Sequence, residues 1–234
     1  MIKAILFDCD GTLVDSESQT GQSIQMVLER HGFQGLKVPV SWTRGQAWEA
    51  IAKRILATYP QLPKTPDYAQ EFITSWESLV AQAPAIPGAV KALREAHRWF
   101  SIALVTSSHN RSVEPMLQHH GIAGYFKREA RVCAEDVVNS KPHPEAYLTA
   151  AAKLGVEPHE CLVFEDSIAG IRSAKAAGMQ CIAILETTHN PDECRATADH
   201  SIQNFNTLPS TFWSSMAQPT VVHATQSSLI QACL

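Results

Sequence analysis

Two aspartates near the start of the chain have the position and spacing of groups that carry chemistry. Asp8 and Asp10 follow the apolar run 4–7, which is typical of a strand buried on both faces. Gly11 comes directly after Asp10 and can adopt the backbone angles of a sharp turn. In a parallel α/β sheet the ligand crevice lies at the carboxyl ends of the strands. Asp8 is therefore a candidate nucleophile or metal ligand, and Asp10 can reach the same ligand from the side. The alternative interpretation is a solvated acidic turn after an edge strand.

Polar residues also follow three later apolar runs of the chain. They are Thr106 and Ser107 after the second run, Lys141 after the third, and Glu165 and Asp166 after the fourth. If these runs are parallel strands, all of the polar residues project into one crevice. Taken singly, each has a structural explanation: a helix cap for the hydroxyls, an exposed loop for the lysine and a helix-dipole contact for the acidic pair. Four such strand ends in one chain favour a functional site.

The residue types at these strand ends suit phosphoryl transfer. Carboxylates gathered without a cation repel one another, so the set requires a hard divalent ion, and Mg²⁺ prefers such oxygen ligands. Lys141 can neutralise both the nucleophile and the phosphoryl oxygens. Thr106 and Ser107 can donate hydrogen bonds to those oxygens as charge spreads over them. The sequence therefore predicts magnesium-dependent chemistry on a small phosphorylated metabolite.

The elements that must position these residues fall into two groups. From about residue 84 onward, apolar strand-like runs alternate with helical periods. This alternation predicts an α/β fold with a doubly wound parallel sheet, whose last strand we expect at 181–185. Between residues 17 and 83 the apolar residues recur at helical spacing only, so we expect an inserted all-helical segment there.

Composition and charge exclude several other classes of protein. The chain has 234 residues, of which 45% are apolar and 18% charged, as in an ordinary globular domain. No apolar run is long enough to span a bilayer and residues 1–20 have no signal-peptide pattern, so we expect no membrane association. A net charge of −4 gives no general attraction for nucleic acid. The six cysteines form no C-x-x-C pair, so we expect them to be reduced thiols in a cytoplasmic protein. We expect a monomer.

Taken together, the motifs resemble those of the haloacid dehalogenase superfamily. They are Asp8-x-Asp10-Gly-Thr-Leu-Val-Asp-Ser, the hydroxyl-tipped second strand, Ser-Lys141-Pro and Phe-Glu165-Asp166-Ser. The set is most similar to the phosphatase and β-phosphoglucomutase branch, in which a helical cap is inserted after the first motif. The resemblance implies a Rossmann-like catalytic core at 1–15 and 84–218, a helical cap at 16–83 and a C-terminal tail at 219–234.

The resemblance also implies roles for the acidic residues. Asp8 would attack phosphorus to form an aspartyl-phosphate, and Asp10 would protonate the leaving alkoxide and then deprotonate water. Magnesium would be bound by the Asp8 side chain, the Asp10 backbone carbonyl, and Asp166 with Glu165 beside it. The expected activity is that of a phosphoric monoester hydrolase, with sugar phosphates as candidate substrates.

Several alternatives to this activity follow from the same comparison of motifs. The mutases that the chain resembles carry a hinge His and a cap-loop Arg at the positions of Thr20 and Trp48, so these departures favour a phosphatase over a sugar-phosphate mutase. The metal-independent dehalogenases lack the second aspartate of the first motif, so Asp10 argues against that activity. A non-catalytic module that accepts phosphate on an aspartate is a further alternative, which the helical insert and Asp10 disfavour.

Substrate specificity is expected from the helical cap. Arg44, Gln46 and Trp48 lie where the cap loop would face the substrate. Arg44 can grip a second anionic group, although an exposed surface arginine is the alternative. Trp48 also fits the apolar stripe of a helix, which favours packing over contact with the substrate.

Overall fold

The chain folds as two compact units. The computed structural model describes residues 1–39, 42–43, 48–217 and 230. One unit consists of residues 1–15 with 84–234, and the other of residues 16–83. The larger unit contains a parallel sheet, whereas the described part of the smaller unit contains helices and connecting turns.

The smaller unit has its own apolar core. Its described helices are α1 (Glu17–Arg30), α2 (Trp48–Thr58) and α3 (Tyr68–Val80). Their apolar faces form one buried cluster that includes Ile24, Ile55 and Phe72. The Nε2 atom of His31 lies 3.1 and 3.0 Å from the two carboxylate oxygens of Glu71 and ties the end of α1 to α3. The described part of this unit is therefore helical, as the apolar periodicity predicts.

Six strands of the larger unit form one parallel sheet. They are β1 (Ala4–Phe7), β2 (Ser101–Val105), β3 (Arg131–Val132), β4 (Cys161–Glu165), β5 (Gln180–Ile184) and β6 (His200–Ile202). Their order across the sheet is β3-β2-β1-β4-β5-β6. The chain adds strands on one side of β1 as far as β3 and then crosses to the other side at β4, so the topological switch point lies between β1 and β4. This arrangement confirms the predicted doubly wound α/β fold.

The central strand β1 ends level with its two neighbours in the sheet. Its four residues are all apolar and buried, which suits a strand covered on both faces. The register pairs Phe7 with Leu104 of β2 and with Phe164 of β4, so the three strands end at one level. The rings of Phe7 and Phe164 stack with centroids 5.4 Å apart. Residues that follow these strand ends therefore emerge together at one edge of the sheet.

Helices alternate with the strands of the larger unit. They are α4 (Ala89–Ala96), α5 (Asn110–His119), α6 (Glu145–Leu154), α7 (Ile168–Ala176), α8 (Pro191–Thr197) and α9 (Phe212–Ala217). Residues of α6 and α7 share a buried cluster with Leu6 and Val163 of the central strands. The hydroxyl of Ser167 accepts a hydrogen bond from the backbone N–H of Gly170 at 3.0 Å and caps the start of α7. This cap starts the helix directly after the acidic pair that ends β4.

The prediction that the strand at 181–185 is the last one is wrong. β6 pairs in parallel with β5, with Ile182 opposite His200. Ile202 is the one apolar residue of β6, which is too little for a periodic signal, so only the pairing with β5 defines this strand. The predicted tail at 219–234 lies outside the described residues except for Ile230, which is buried.

Two findings bear on the predictions made from composition. In the part of the chain that the structure describes, no helix has the length and apolar character needed to cross a bilayer. The described cysteines, at positions 9, 133, 161, 181 and 194, are buried free thiols. Burial raises the pKa of the Cys9 thiol well above its ordinary value, so this thiol is not an ionised nucleophile.

Candidate active site

The loop after β1 holds Asp8 at the carboxyl edge of the sheet. The backbone N–H of Asp8 donates to the carbonyl of Phe164 at 3.0 Å, which continues the strand pairing up to the carboxylate. The residue is 5% exposed. Gly11 then turns the chain with a φ of 83°, and a side chain there would overlap the carboxylate of Asp166. The turn and the close approach of Asp166 both require glycine at this position.

Lys141 connects the ends of three neighbouring strands. Its Nζ atom lies 2.7 Å from Oδ1 of Asp8 and 2.6 Å from Oε1 of Glu165. It also donates a hydrogen bond to the carbonyl of Val105 at 3.0 Å. The lysine side chain is 6% exposed, so these charge-assisted contacts are shielded from solvent. The structure therefore brings the predicted lysine to the predicted first aspartate.

Glu165 organises its surroundings through both carboxylate oxygens. Besides Lys141, its Oε1 accepts a hydrogen bond from the hydroxyl of Tyr147 at 2.9 Å. Its Oε2 accepts hydrogen bonds from the backbone N–H groups of Asp166 and Ser167, both at 3.1 Å, and from the Ser167 hydroxyl at 3.0 Å. Glu165 thus fixes the position of the lysine and the path of the chain into α7.

Asp166 is held by hydroxyls from two other loops. Its Oδ1 accepts a hydrogen bond from the hydroxyl of Thr12 at 3.3 Å. The hydroxyl of Thr187 lies 3.4 Å from Oδ2 of Asp166 and 2.8 Å from the carbonyl oxygen of Gly11. The loops that follow β1, β4 and β5 therefore meet at this carboxylate.

Three buried carboxylates form a group that could hold a metal ion. One carboxylate oxygen each from Asp8, Glu165 and Asp166 lies within 4.8 Å of the others. Three carboxylates and the single ammonium of Lys141 leave a net charge of −2 when all four groups are ionised. Burying this excess of negative charge is costly unless a cation compensates it. The donor set therefore fits a hard divalent cation.

The pKa values of Asp8, Asp166 and Lys141 are raised in this buried cluster. Burial, followed by the neighbouring Glu165 carboxylate, raises the pKa of Asp8 to about 8, although Lys141 acts in the opposite direction. Burial and the Asp8 carboxylate raise the pKa of Asp166 well above its ordinary value. Burial alone would lower the pKa of Lys141, but Asp8 and Glu165 outweigh it and raise that pKa above its usual value. Lys141 is therefore a permanent cation in this group of residues.

Asp10 lies beside the loop that follows β2. Its Oδ2 atom accepts hydrogen bonds from the hydroxyl of Thr106 at 3.1 Å and from the hydroxyl of Ser108 at 2.7 Å. Its Oδ1 atom is shielded from solvent and has no hydrogen-bond partner among the residues that the structure describes. The two oxygens of Asp10 therefore have different environments.

The two hydroxyl residues predicted to contact phosphate differ in position. Thr106 is buried, and its backbone N–H donates to the carbonyl of Val132 at 2.9 Å, next to the end of β3. Ser107 is exposed. Both line a cavity of about 120 Å³ together with Lys141. Both donors of Thr106 are already used within the protein, so Ser107 is the one of the two residues that can donate to an anion in this cavity.

Of the three residues in the smaller unit that were predicted to contact the substrate, the structure describes Trp48. Arg44 and Gln46 lie outside the described residues. Trp48 is half-buried, and its ring lies 6.5 Å from that of Phe72 and 6.2 Å from that of Trp76, centroid to centroid. These ring contacts support the packing role for Trp48.

Sequence reasoning did not assign a site role to five residues whose side chains hydrogen-bond to the predicted site side chains. They are Thr12, Ser108, Tyr147, Ser167 and Thr187. Thr12, Ser108 and Ser167 lie within the polar segments already singled out, so a search of whole segments would have included them. Tyr147 has the pattern of an ordinary buried helix residue, and Thr187 follows a strand with no local signal of its own.

The fold and the site define the class of protein: an α/β enzyme whose polar centre consists of carboxylates and one lysine at the carboxyl edge of a parallel sheet. The sequence profile of the haloacid dehalogenase-like hydrolases matches residues 2–178. The match covers more than half of the chain, and the protein therefore belongs to this family.

Individual relatives agree with this assignment. A probable pseudouridine-5′-phosphatase of Drosophila melanogaster is 31% identical over 214 residues, which are 86% of this chain and 92% of that protein. Hexitol phosphatase A of Escherichia coli (strain K12) is 34% identical over 197 residues, or 81% of this chain and 86% of that protein. A hydrolase of the same family from Deinococcus radiodurans R1, crystallised with bound phosphate and sodium, has a TM-score of 0.72 and 26% identity and covers 88% of this chain and 92% of its own.

These comparisons confirm the resemblance drawn from the motifs and the prediction that the chain is a phosphoric monoester hydrolase. The metal, the substrate and the roles of individual residues stay predictions.

Proposed function

We propose that this protein is a magnesium-dependent phosphatase that hydrolyses a small phosphorylated metabolite, with sugar phosphates as the first class to test, through an aspartyl-phosphate on Asp8. The observation that carries the proposal is the buried contact between the Asp8 carboxylate and the Lys141 ammonium, beside two further carboxylates. The relatives named as a pseudouridine-5′-phosphatase and a hexitol phosphatase support a small phosphate ester as the substrate.

The reaction has two halves that use Asp8 and Asp10 in turn. In the first, a carboxylate oxygen of Asp8 forms a bond to phosphorus while the bond between phosphorus and the ester oxygen breaks. The electron pair of the broken bond goes to the leaving oxygen, which takes a proton from Asp10. In the second, a water oxygen forms a bond to phosphorus and gives a proton to Asp10, while the bond between phosphorus and the Asp8 oxygen breaks. The electron pair of that bond returns to the Asp8 carboxylate, and inorganic phosphate is released.

Lys141 and the loop after β2 stabilise the phosphoryl group. The ammonium of Lys141 holds the nucleophilic carboxylate in place at 2.7 Å and compensates negative charge in the transition state. Thr106 and Ser107 line a cavity together with Lys141. The hydroxyl and the backbone N–H of Thr106 already donate to Asp10 and to the carbonyl of Val132, so Ser107 is the residue that would donate hydrogen bonds to the equatorial oxygens.

The metal would be held by Asp8, Asp166 and the backbone carbonyl of Asp10. These are oxygen ligands, which Mg²⁺ prefers, and the ion when bound supplies Lewis-acid compensation for the phosphoryl charge. Glu165 adds negative charge near the ion, but its oxygens already accept five hydrogen bonds and it acts by holding Lys141. The related Deinococcus hydrolase was crystallised with bound phosphate and sodium, which supports the binding of a phosphate group and a cation by this fold.

We assign the role of a substrate-specific cap to residues 16–83. Such a unit would exclude water from the phosphoryl group and contact the rest of the substrate. The residues Thr20 and Trp48 stand where the related mutases carry His and Arg, and Trp48 packs against aromatic rings of its own unit. These two departures from the mutase pattern favour hydrolysis over isomerisation.

Hydrolysis of 4-nitrophenyl phosphate tests this proposal. We expect turnover that is lost on chelation and restored by Mg²⁺. Asp8→Asn should abolish turnover, because an amide does not attack phosphorus. No phosphoenzyme should be isolated from this variant after an acid quench. Asp192→Asn is the matched control, since the Asp192 side chain is 99% exposed and lies outside the site. Turnover that persists in Asp8→Asn or in chelator would contradict the proposal.

The substrate class requires a second measurement. A panel of phosphorylated metabolites should release inorganic phosphate, and the products should contain no isomerised ester. Accumulation of an isomer with retention of the phosphate would identify a mutase instead.

A further inference from the structure

We infer that Ser108 is a positioning residue that, together with Thr106, anchors one oxygen of Asp10 so that the other oxygen, Oδ1, carries the proton delivered to the leaving group. The inference rests on the proposed function and goes beyond it, because the acid–base role by itself assigns neither a particular oxygen nor a residue that selects it. Ser108 was not among the residues predicted from the sequence.

The hydrogen-bond geometry around Asp10 is asymmetric. Both hydroxyl contacts are made to Oδ2, at 2.7 Å from Ser108 and at 3.1 Å from Thr106. Oδ1 is buried and has no hydrogen-bond partner within the described residues. A buried carboxyl oxygen without a partner is rare in folded proteins and requires an explanation. A ligand atom that arrives only with the substrate provides one.

The direction of each hydrogen bond follows from the available partners. The Thr106 hydroxyl oxygen accepts a hydrogen bond from the backbone N–H of Ser108 at 3.0 Å, which leaves its own proton to be donated to Asp10. The Ser108 hydroxyl has one hydrogen-bond partner in the described part of the chain, the carboxyl group of Asp10. The Thr106 proton therefore points at Oδ2, and the Ser108 hydroxyl donates to the same oxygen when Asp10 is a carboxylate. A carboxyl proton on Oδ2 would face the Thr106 proton, so the neutral acid carries its proton on Oδ1.

This arrangement places the acidic proton of Asp10 on the oxygen that would protonate the leaving group. As the bond between phosphorus and the ester oxygen breaks, that oxygen receives the bonding electron pair and the proton from Oδ1, and Asp10 is left as a carboxylate. Both hydroxyl donors then stabilise the new negative charge on the carboxyl group. In the return step the water proton goes back to Oδ1. Without Ser108 the carboxyl group keeps one anchor and can rotate away from this geometry.

The dependence of the rate on the leaving group tests the inference. The substrates are 4-nitrophenyl phosphate, whose leaving phenolate is a weak base and needs little protonation, and phenyl phosphate, whose leaving group is more basic. The measured quantity is the ratio of kcat/KM for the first substrate to kcat/KM for the second. Because kcat/KM extends only to the first irreversible step, it reports on transfer of the phosphoryl group to Asp8. The ratio is also independent of the fraction of folded enzyme.

We expect Ser108→Ala to raise this ratio by roughly 10-fold, a small part of the ~10²–10⁴-fold that general acid catalysis supplies. Ser108→Thr keeps the hydroxyl and should restore the wild-type ratio. Ser107→Ala is the matched control, since Ser107 makes none of the described hydrogen bonds to Asp10, and it should lower both rates by a similar factor.

Two outcomes would overturn the inference. If the ratio in Ser108→Ala equals that of the wild type while the wild type hydrolyses both substrates, Ser108 does not position the acid and the phosphatase assignment stands. If the wild type hydrolyses neither substrate with Mg²⁺ present, the proposed function fails and the inference fails with it.

Discussion

Gly170, in the first turn of α7, lies against the carboxylate of Glu165. A Cβ atom at this position would overlap the carboxyl carbon and both oxygens of that side chain. Glu165 is fully buried and accepts hydrogen bonds on both oxygens, including one from Lys141, so it has no free space to move into. Gly170→Ala is therefore expected to displace the glutamate and, through it, the lysine beside Asp8.

The magnitude follows from two opposing effects. At a position with ordinary helical backbone angles, Gly→Ala normally stabilises a protein by about 0.4–1 kcal/mol because it reduces the freedom of the unfolded chain. Overpacking a buried site costs about 1–3 kcal/mol, and weakening a buried ion pair adds to that cost. We expect Gly170→Ala to lower the free energy of unfolding by about 2 kcal/mol, which corresponds to about 4–8 °C in Tm for a domain of this size.

Thermal unfolding followed by circular dichroism measures this change, and hydrolysis of 4-nitrophenyl phosphate measures the displacement of Lys141. Gly124→Ala is the matched control in the same unit, because a Cβ atom there meets nothing within 4 Å. We expect this control to be as stable as the wild type or slightly more stable, with full activity. If Gly170→Ala behaves like Gly124→Ala in both assays, the close approach of Glu165 to α7 is refuted.

Two further substitutions test contacts around the site and at the edge of the sheet. Tyr147→Phe removes a 2.9 Å hydrogen bond to the buried Glu165 carboxylate and should lower the free energy of unfolding by about 1.5–3 kcal/mol, as measured by urea denaturation; an unchanged midpoint and slope would contradict this contact. Arg131 donates a hydrogen bond to Glu114 and lowers the pKa of that carboxyl below its usual value. The pair therefore stabilises the folded state at pH values above the usual pKa, and its contribution is lost as the pH falls through the lowered pKa. Glu114→Gln should therefore have a flatter dependence of Tm on pH than the wild type as the pH falls below the usual glutamate pKa of about 4.3, and equal slopes would show that the pair does not contribute.

The sequence by itself determined the central strands of the sheet and the residues at their carboxyl ends. Apolar runs such as 4–7 and 161–164 are long enough to predict buried strands, and parallel strands must present their carboxyl ends at one edge. The sequence alone therefore predicts that Asp8, Lys141 and Asp166 share one crevice, and the structure brings them together. Residue type alone then indicated an ion and a phosphoryl group.

Elements with weak local signals could not be predicted in this way. The three-residue strand β6 has one apolar residue, and its pairing with β5 defines it. Tyr147 lies on a helix whose periodicity is that of any packed helix, so its hydrogen bond to Glu165 is invisible in the sequence. Local patterns report the period of an element, not the partner that a particular side chain meets.

The tertiary structure alone decided how each polar atom is used. Glu165 is an acidic residue beside a predicted metal ligand, but its oxygens are engaged by the lysine, the tyrosine and the start of α7. The hydroxyl of Thr187 meets the carbonyl of Gly11 across 176 positions of the chain, and the two oxygens of Asp10 differ because Ser108 and Thr106 contact only one of them. Hydrogen bonds act over about 3 Å and depend on direction, so they are set by side-chain torsions and by the packing of elements that are distant in sequence.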